Sequence, residues 1–184
     1  MIHCVLNQNA RDPGAAVRPA VFSEVVALLL DREVGIVQMP CPETTCLGLL
    51  RNRPAGVRIR DLLDTPWGRR CCKSLACAVA DQLQEHARSG HAVLAVVGGD
   101  TESPGCAVHV RHGEAGGGLS AESGVLMRAL EEELRNRWLR VPFLSLRASR
   151  PDAFMEDLET LGRLLSGSGD RERGSGIGGR VVGP

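Results

Sequence analysis

Apolar positions in this chain come in short runs of two periods. Residues 1–6 (Met-Ile-His-Cys-Val-Leu) read as a first strand, ended by the polar run Asn7-Gln8-Asn9. Val21, Val25, Leu28 and Leu29 predict a helix over Pro19–Arg32. Val34–Met39 reads as a short strand, closed by Pro40-Cys41-Pro42; two prolines so close exclude regular structure and set Cys41 on a stiff turn. Residues 44–64 are irregular and rich in arginine. Thr65 then predicts an N-cap with Pro66 at the first helical position, and Trp67, Cys71, Leu75, Val79 and Leu83 mark one face of a long helix stopped at Gly90. His91–Gly98 is the clearest buried strand. A loop over Gly99–Gly105, a strand over Cys106–Arg111 and a glycine-rich turn over Glu114–Leu119 follow. Leu126, Leu130, Leu134 and Trp138 predict a helix over Ala121–Leu139. Val141–Leu146 reads as a strand, and Met155, Leu158, Leu161 and Leu165 predict a last helix over Asp152–Leu165.

Strands alternating with helices predict an α/β fold: a single compact Rossmann-like domain over residues 1–166, with a mainly parallel sheet flanked by helices. From Gly167 to the last residue, 184, the chain is a Gly/Arg/Ser-rich tail with little to bury, which predicts disorder. In open parallel sheets, ligands bind beyond the carboxyl ends of the strands, and those ends share one edge. Cys4 lies near the end of the first predicted strand, Cys41 follows the second, and Cys106 follows the loop after the central one. Cysteines about a hundred positions apart are thus expected to meet at one point.

Composition sharpens this expectation. The chain has 184 residues and a formal net charge of zero, so no global charge draws it to nucleic acid or to a membrane surface. Its longest apolar runs are too short to cross a bilayer, and no secretory leader is legible, so a cytoplasmic protein with reduced thiols is the expectation. Seven cysteines in that setting point to metal binding or catalysis, with some serving as small core residues.

Three converging thiolates without an obvious fourth suit a cluster with one open iron, since thiolates are the usual ligands of iron–sulfur clusters. Cys71, Cys72 and Cys77 share one predicted helix, where Cys72 lies about 100° and Cys77 about 240° from Cys71, too divergent for one metal. Cys71 is expected in the core. Cys46 is an extra ligand or, the favoured reading, a small apolar filler. His109 and His112 fall on opposite faces of a strand, as do His3 and Cys4, so no histidine pair is expected to bind metal.

The same residues resemble the thiouracil desulfidase family and its related desulfidases. The opening His3-Cys4-Val5-Leu6-Asn7-Gln8-Asn9 is similar to the family's first cysteine motif. Cys41-Pro42-Glu43, with Leu47-Gly48-Leu49 and Arg51, resembles its Cys-Pro-Glu motif, and Ser103-Pro104-Gly105-Cys106 resembles its Ser-Pro-Ser-Cys motif. The likeness spans roughly residues 1–110. It departs from the family at Gly105, Ala107 and Cys46, and in a longer loop at Asp100-Thr101-Glu102.

The resemblance implies a [4Fe-4S] cluster on Cys4, Cys41 and Cys106, and replacement of C=S by C=O, with release of sulfide, in a small thiolated compound such as a nucleobase or nucleoside. Glu43 is then a general base or proton shuttle, or else a cap on the segment that follows. Ser103 positions substrate or water, or completes a turn before Pro104. Asn7 and Asn9 pair with substrate or cluster, or are ordinary loop polarity. Arg51, Arg53, Arg58, Arg60, Arg69 and Arg70 form a basic stretch that meets a phosphate or, the favoured reading, a solvated face. The competing readings are a cluster-binding redox or sensing protein without turnover, and a zinc-binding module.

Overall fold

Helix accounts for most of the regular backbone. The computed structural model describes residues 1–111 and 118–166. The helices are α1 (His3–Leu6), α2 (Ser23–Asp31), α3 (Pro42–Leu47), α4 (Ile59–Leu63), α5 (Pro66–Arg88), α6 (Val125–Asn136) and α7 (Pro151–Ser166), with a 3-10 turn at Gln8–Ala10. Two strands of two residues each, β1 (Val96–Val97) and β2 (Phe143–Leu144), pair in parallel. His112, most of the predicted Glu114–Leu119 turn and the tail from residue 167 lie outside the described residues.

The predicted Rossmann-like domain with a mainly parallel sheet is therefore wrong: the protein is mostly helical with a two-stranded parallel sheet. The apolar runs do extend, but each meets a neighbour at only one or two residues. Met39 N–H donates to Met1 O (2.7 Å) in an isolated Ile2–Met39 bridge, and Ile2 N–H donates to Val97 O (3.1 Å), where strands were expected. The first run turns helical at His3, the second is stopped by Pro40, and Pro142 immediately precedes β2. Apolar character reports burial, whereas a ladder also needs uninterrupted backbone donors. What persists among the described residues is a parallel sense in most pairs, Ile2 with Met39, Gly99 with Ala107, and β1 with β2, while Val110 pairs antiparallel with Leu119.

The long helix forms as the cap signals dictate. Thr65 Oγ1 accepts from Gly68 N (3.1 Å), and Pro66 occupies the first turn, where an N–H would be unpaired anyway. Its buried face meets the predicted stripe only at Val79 and Leu83. Four-residue steps drift by about 40° each on a 3.6-residue helix, and the face buried is Gly68, Cys72, Ala76, Val79, Ala80 and Leu83, with Trp67 half exposed. These small side chains let α6 pack closely against α5, with Leu126, Met127 and Leu130 fully buried. Helix α6 stops before Trp138, which takes a left-handed φ of 60° and is 91% exposed, so it is not part of that helical face. A second, smaller core gathers Cys46, Leu47, Ile59, Leu63, Cys72 and Val125 beside α3. Among the described residues no helix is long and apolar enough to cross a membrane.

Candidate functional site

The bridge between Ile2 and Met39 is parallel, so the chain leaves both residues in the same direction. Cys4 follows two residues after Ile2, in the single turn of α1. Cys41 follows two residues after Met39, as the N-cap of α3, its Sγ accepting from Thr44 N at 3.5 Å. Cys106 is brought to them by close packing at glycines. A Cβ on Gly99 would lie 2.7 Å from Cys106 Sγ, and one on Gly105 would lie 2.4 Å from Pro42 Cγ. The Cys106 turn is in turn seated on the start of α6: a Cβ on Gly124 would lie 2.3 Å from the Gly105 carbonyl carbon.

The three cysteines thus line one cavity of about 250 Å³, together with Glu43, Ser103 and Arg11. Cys106 is buried at 8% exposure. Burial pushes the Cys4 thiol up to about 11; Arg11 pulls it down, while Cys41 and Glu43 add to the rise. Burial also holds the Cys106 thiol well above its ordinary range, reinforced by Cys4, with Ser103 opposing. These thiols therefore sense one another, and ionising them together calls for positive charge in the cavity. Among the described residues no three His, Cys, Asp or Glu side chains stand close enough to hold a single metal ion. A cubane, with an iron for each thiolate, takes its ligands farther apart than one ion does.

Glu43 sits on the first turn of α3 and pairs with Arg51, Oε2 to Nε 3.3 Å, with side-chain exposures of 12% and 2%. Arg51 also donates to Ala10 O (2.6 Å) and Leu49 O (2.7 Å), and its Nη2 lies 3.9 Å from Cys41 Sγ. One buried guanidinium thereby ties the Cys41 helix to the segment after Cys4. Ser103 Oγ lies 3.0 Å from Cys106 Sγ and accepts from Cys106 N (3.4 Å), so this hydroxyl both shapes the turn and touches the thiol.

Asn7 and Asn9 are not part of the cavity lining. Asn7 Oδ1 instead caps the 3-10 turn, accepting from Asn9 N at 3.1 Å. The buried member of that run is Gln8, which donates to Cys4 O (2.5 Å) and accepts from Val17 N (3.1 Å). The basic stretch is mostly absorbed by internal partners. Arg60 holds the carbonyls of Ala121, Glu122 and Ser123, Arg58 pairs with Asp61, Arg69 with Asp64 and Arg53 with Asp12. Arg51, read from sequence as part of that solvated face, is instead buried; its place in the motif after Cys41-Pro42-Glu43 was the signal available. Gln8 was marked only as part of the opening cysteine motif, and Arg11 carried no signal beyond its nearness to Cys4.

Cys46 and Cys71 form a disulfide between α3 and α5, correcting the expectation of reduced thiols with an apolar filler at 46 and a core thiol at 71. Cys46 is therefore not free to join the other three. Cys72 is fully buried, and Cys77 makes a thiol contact with Glu133. His109 Nε2 faces Thr101 O at 2.8 Å and His3 Nδ1 faces Gln38 Nε2 at 3.1 Å, both hydrogen-bonding roles.

No family model matches the chain. No solved structure matches it. It is 33% identical over 94 residues to an uncharacterized protein of Methanocaldococcus jannaschii, MJ0003; the match covers 51% of this chain and 58% of that protein. The chain thus spans less than two thirds of that relative's length.

Proposed function

We propose that the protein is an iron–sulfur-cluster-dependent desulfidase that replaces C=S by C=O in a small thiolated compound, such as a nucleobase or nucleoside, consuming water and releasing hydrogen sulfide. The observation that carries this reading is the meeting of Cys4, Cys41 and Cys106 in one cavity that also holds Glu43 and Ser103. The resemblance of the three cysteine motifs to the thiouracil desulfidase family supports it. Cys4, Cys41 and Cys106 would hold a [4Fe-4S] cluster; the reluctance of buried Cys4 and Cys106 to ionise alone fits a site completed by a cation. When bound, such a cluster supplies a soft Lewis acid that draws electron density from a thiocarbonyl sulfur.

The chain's own groups account for the proton traffic. Arg51 holds Glu43 Oε2, which fixes the carboxylate at the cavity wall and leaves Oε1 to take a proton from water. Ser103 Oγ, beside Cys106, can hand a hydrogen bond to a substrate atom or orient the attacking water. The cavity walls Ile2, Val5, Phe22 and Leu146 keep bulk water back from the reacting atoms.

The test is anaerobic turnover of a panel of thiolated bases by reconstituted protein, with sulfide release as the readout. Glu43→Gln is expected to keep iron and sulfide content and to lose at least about a hundredfold in rate. Equal rates for Glu43→Gln and wild type would overturn the role of Glu43. A cluster-loaded wild type that releases no sulfide from any thiocarbonyl would overturn the enzyme and leave the redox or sensing reading.

A further inference from the structure

We propose that the Cys46–Cys71 disulfide is a thiol–disulfide exchange site, open to small-molecule thiol reductants, whose state sets how firmly α3 presents Cys41 and Glu43 to the cysteine cavity. This inference does not depend on what that cavity binds.

The pair stands apart from the other described cysteines, all of which are free thiols. Three of those line the candidate site, on the Glu43 side of α3. Cys46 lies at the other end of the same helix and lines a different cavity of about 480 Å³, whose wall also includes Asn52, Leu62, Thr65 and Trp67. That volume admits a small thiol beside Cys46, which is 8% exposed, and Asn52 and Thr65 are among the wall residues. Cys71 is only partly buried on α5.

The chemistry is ordinary exchange. A thiolate attacks Cys46 Sγ and breaks the bond to Cys71, which leaves as thiolate and takes a proton from water. A second thiol attacks the mixed disulfide, freeing Cys46 and releasing the reductant as its own disulfide. Two electrons pass from the reductant to the protein.

Helix α3 has six residues, too few to persist without anchors. Its polar and covalent anchors include the Cys46–Cys71 bond, the Glu43–Arg51 pair and the Cys41 N-cap. Opening the disulfide removes the covalent tether to α5 and leaves α3 held by the two anchors at the cavity, the Thr44 bond to Ala10 O and the packing of Cys46 and Leu47 against Ile59, Leu63 and Cys72. Reduction therefore loosens the helix that carries Cys41 and Glu43, while the α5–α6 core keeps its packing.

The test counts thiols on the full chain. Alkylation in chelator-containing denaturant without reductant, read by intact mass, is expected to give five labels per chain, matching the five free cysteines. After the folded protein is incubated with millimolar glutathione or dithiothreitol, seven labels are expected, the full cysteine count. Hydrogen exchange of residues 43–47 should then quicken by about a hundredfold with α6 unchanged, and a Cys46→Ser, Cys71→Ser variant should show that faster exchange from the start. Seven labels without reductant would overturn the disulfide. Five labels after reductant would overturn an exchange site accessible in the folded protein, and unchanged exchange at 43–47 would overturn the control of α3.

Discussion

Replacing Gly124 by alanine tests how Cys106 is held. Gly124 is the N-cap of α6 with φ −58° and ψ 151°, a conformation that alanine adopts freely, so any effect is steric. The added Cβ would lie 2.3 Å from Gly105 C, 2.4 Å from Gly105 O and 2.4 Å from Cys106 N, all backbone atoms that no rotamer change can clear. The turn must move away from α6, straining three bonds: Gly124 N to Ala107 O (2.9 Å), Val125 N to Pro104 O (3.2 Å) and Leu126 N to Gly105 O (2.9 Å). Overpacking of this kind costs about 1–3 kcal/mol, and a lost bond about 1 kcal/mol more. A loss of about 3 kcal/mol corresponds to a fall in Tm of roughly 10 °C for a chain of this size. The assay is thermal denaturation by circular dichroism beside Gly35→Ala, whose Cβ would meet nothing within 4 Å. The control is expected to melt within a few degrees of wild type, tending upward, because alanine restricts the unfolded chain. A Gly124→Ala protein melting within about 2 °C of wild type would refute the packing argument, given the size of the clash.

Other consequences can be checked with simple variants. Arg51→Met leaves Glu43 without its buried partner and should destabilise by about 3–5 kcal/mol in denaturant titrations; Glu43→Gln should cost less, because Arg51 keeps its bonds to Ala10 O and Leu49 O. A larger loss from Glu43→Gln would reverse the ranking. Glu133, paired with Lys73 and Arg137 across α5 and α6, is held down to about 2 first by the Lys73 and then by the Arg137 hydrogen bond. A depressed carboxylate stabilises the fold above its unfolded value, and that contribution is lost as pH falls through about 2. Wild type should therefore lose stability between about pH 4.5 and pH 2, by about 2 kcal/mol after allowing for solvent at Lys73. Glu133→Gln should flatten that part of the profile, and an unchanged slope would remove the pair from the account.

The helices were legible where local rules decide. Thr65 marks the start of α5 by accepting from Gly68 N and Pro66 by bringing no N–H to its first turn, and the Leu126, Leu130, Leu134 repeat marks α6. The sheet was not legible as it stands, because Val34–Met39 and His91–Gly98 show apolar content without showing what their backbone pairs with. Ile36 is exposed, and only Val96 and Val97 of the second run enter a strand. The expected meeting of Cys4, Cys41 and Cys106 rested on parallel strand ends; parallel bridges and glycine contacts bring them to one cavity instead. Arg51 was misread because charge in a sequence signals exposure by default, and nothing local shows that Glu43, Leu49 O and Ala10 O surround it. The Cys46–Cys71 pairing joins two helices through a tertiary contact that spacing alone does not specify.

The central claim is that Cys4, Cys41 and Cys106 hold one iron–sulfur cluster. Anaerobic reconstitution with ferrous iron and sulfide, followed by iron and acid-labile sulfide analysis of wild type and of Cys4→Ala, Cys41→Ala and Cys106→Ala, tests it most directly. The account predicts about four irons and four sulfides per wild-type chain, with each single variant losing most of both while keeping its helical circular dichroism. Wild type with no bound iron, or all three variants retaining the wild-type content, would contradict it.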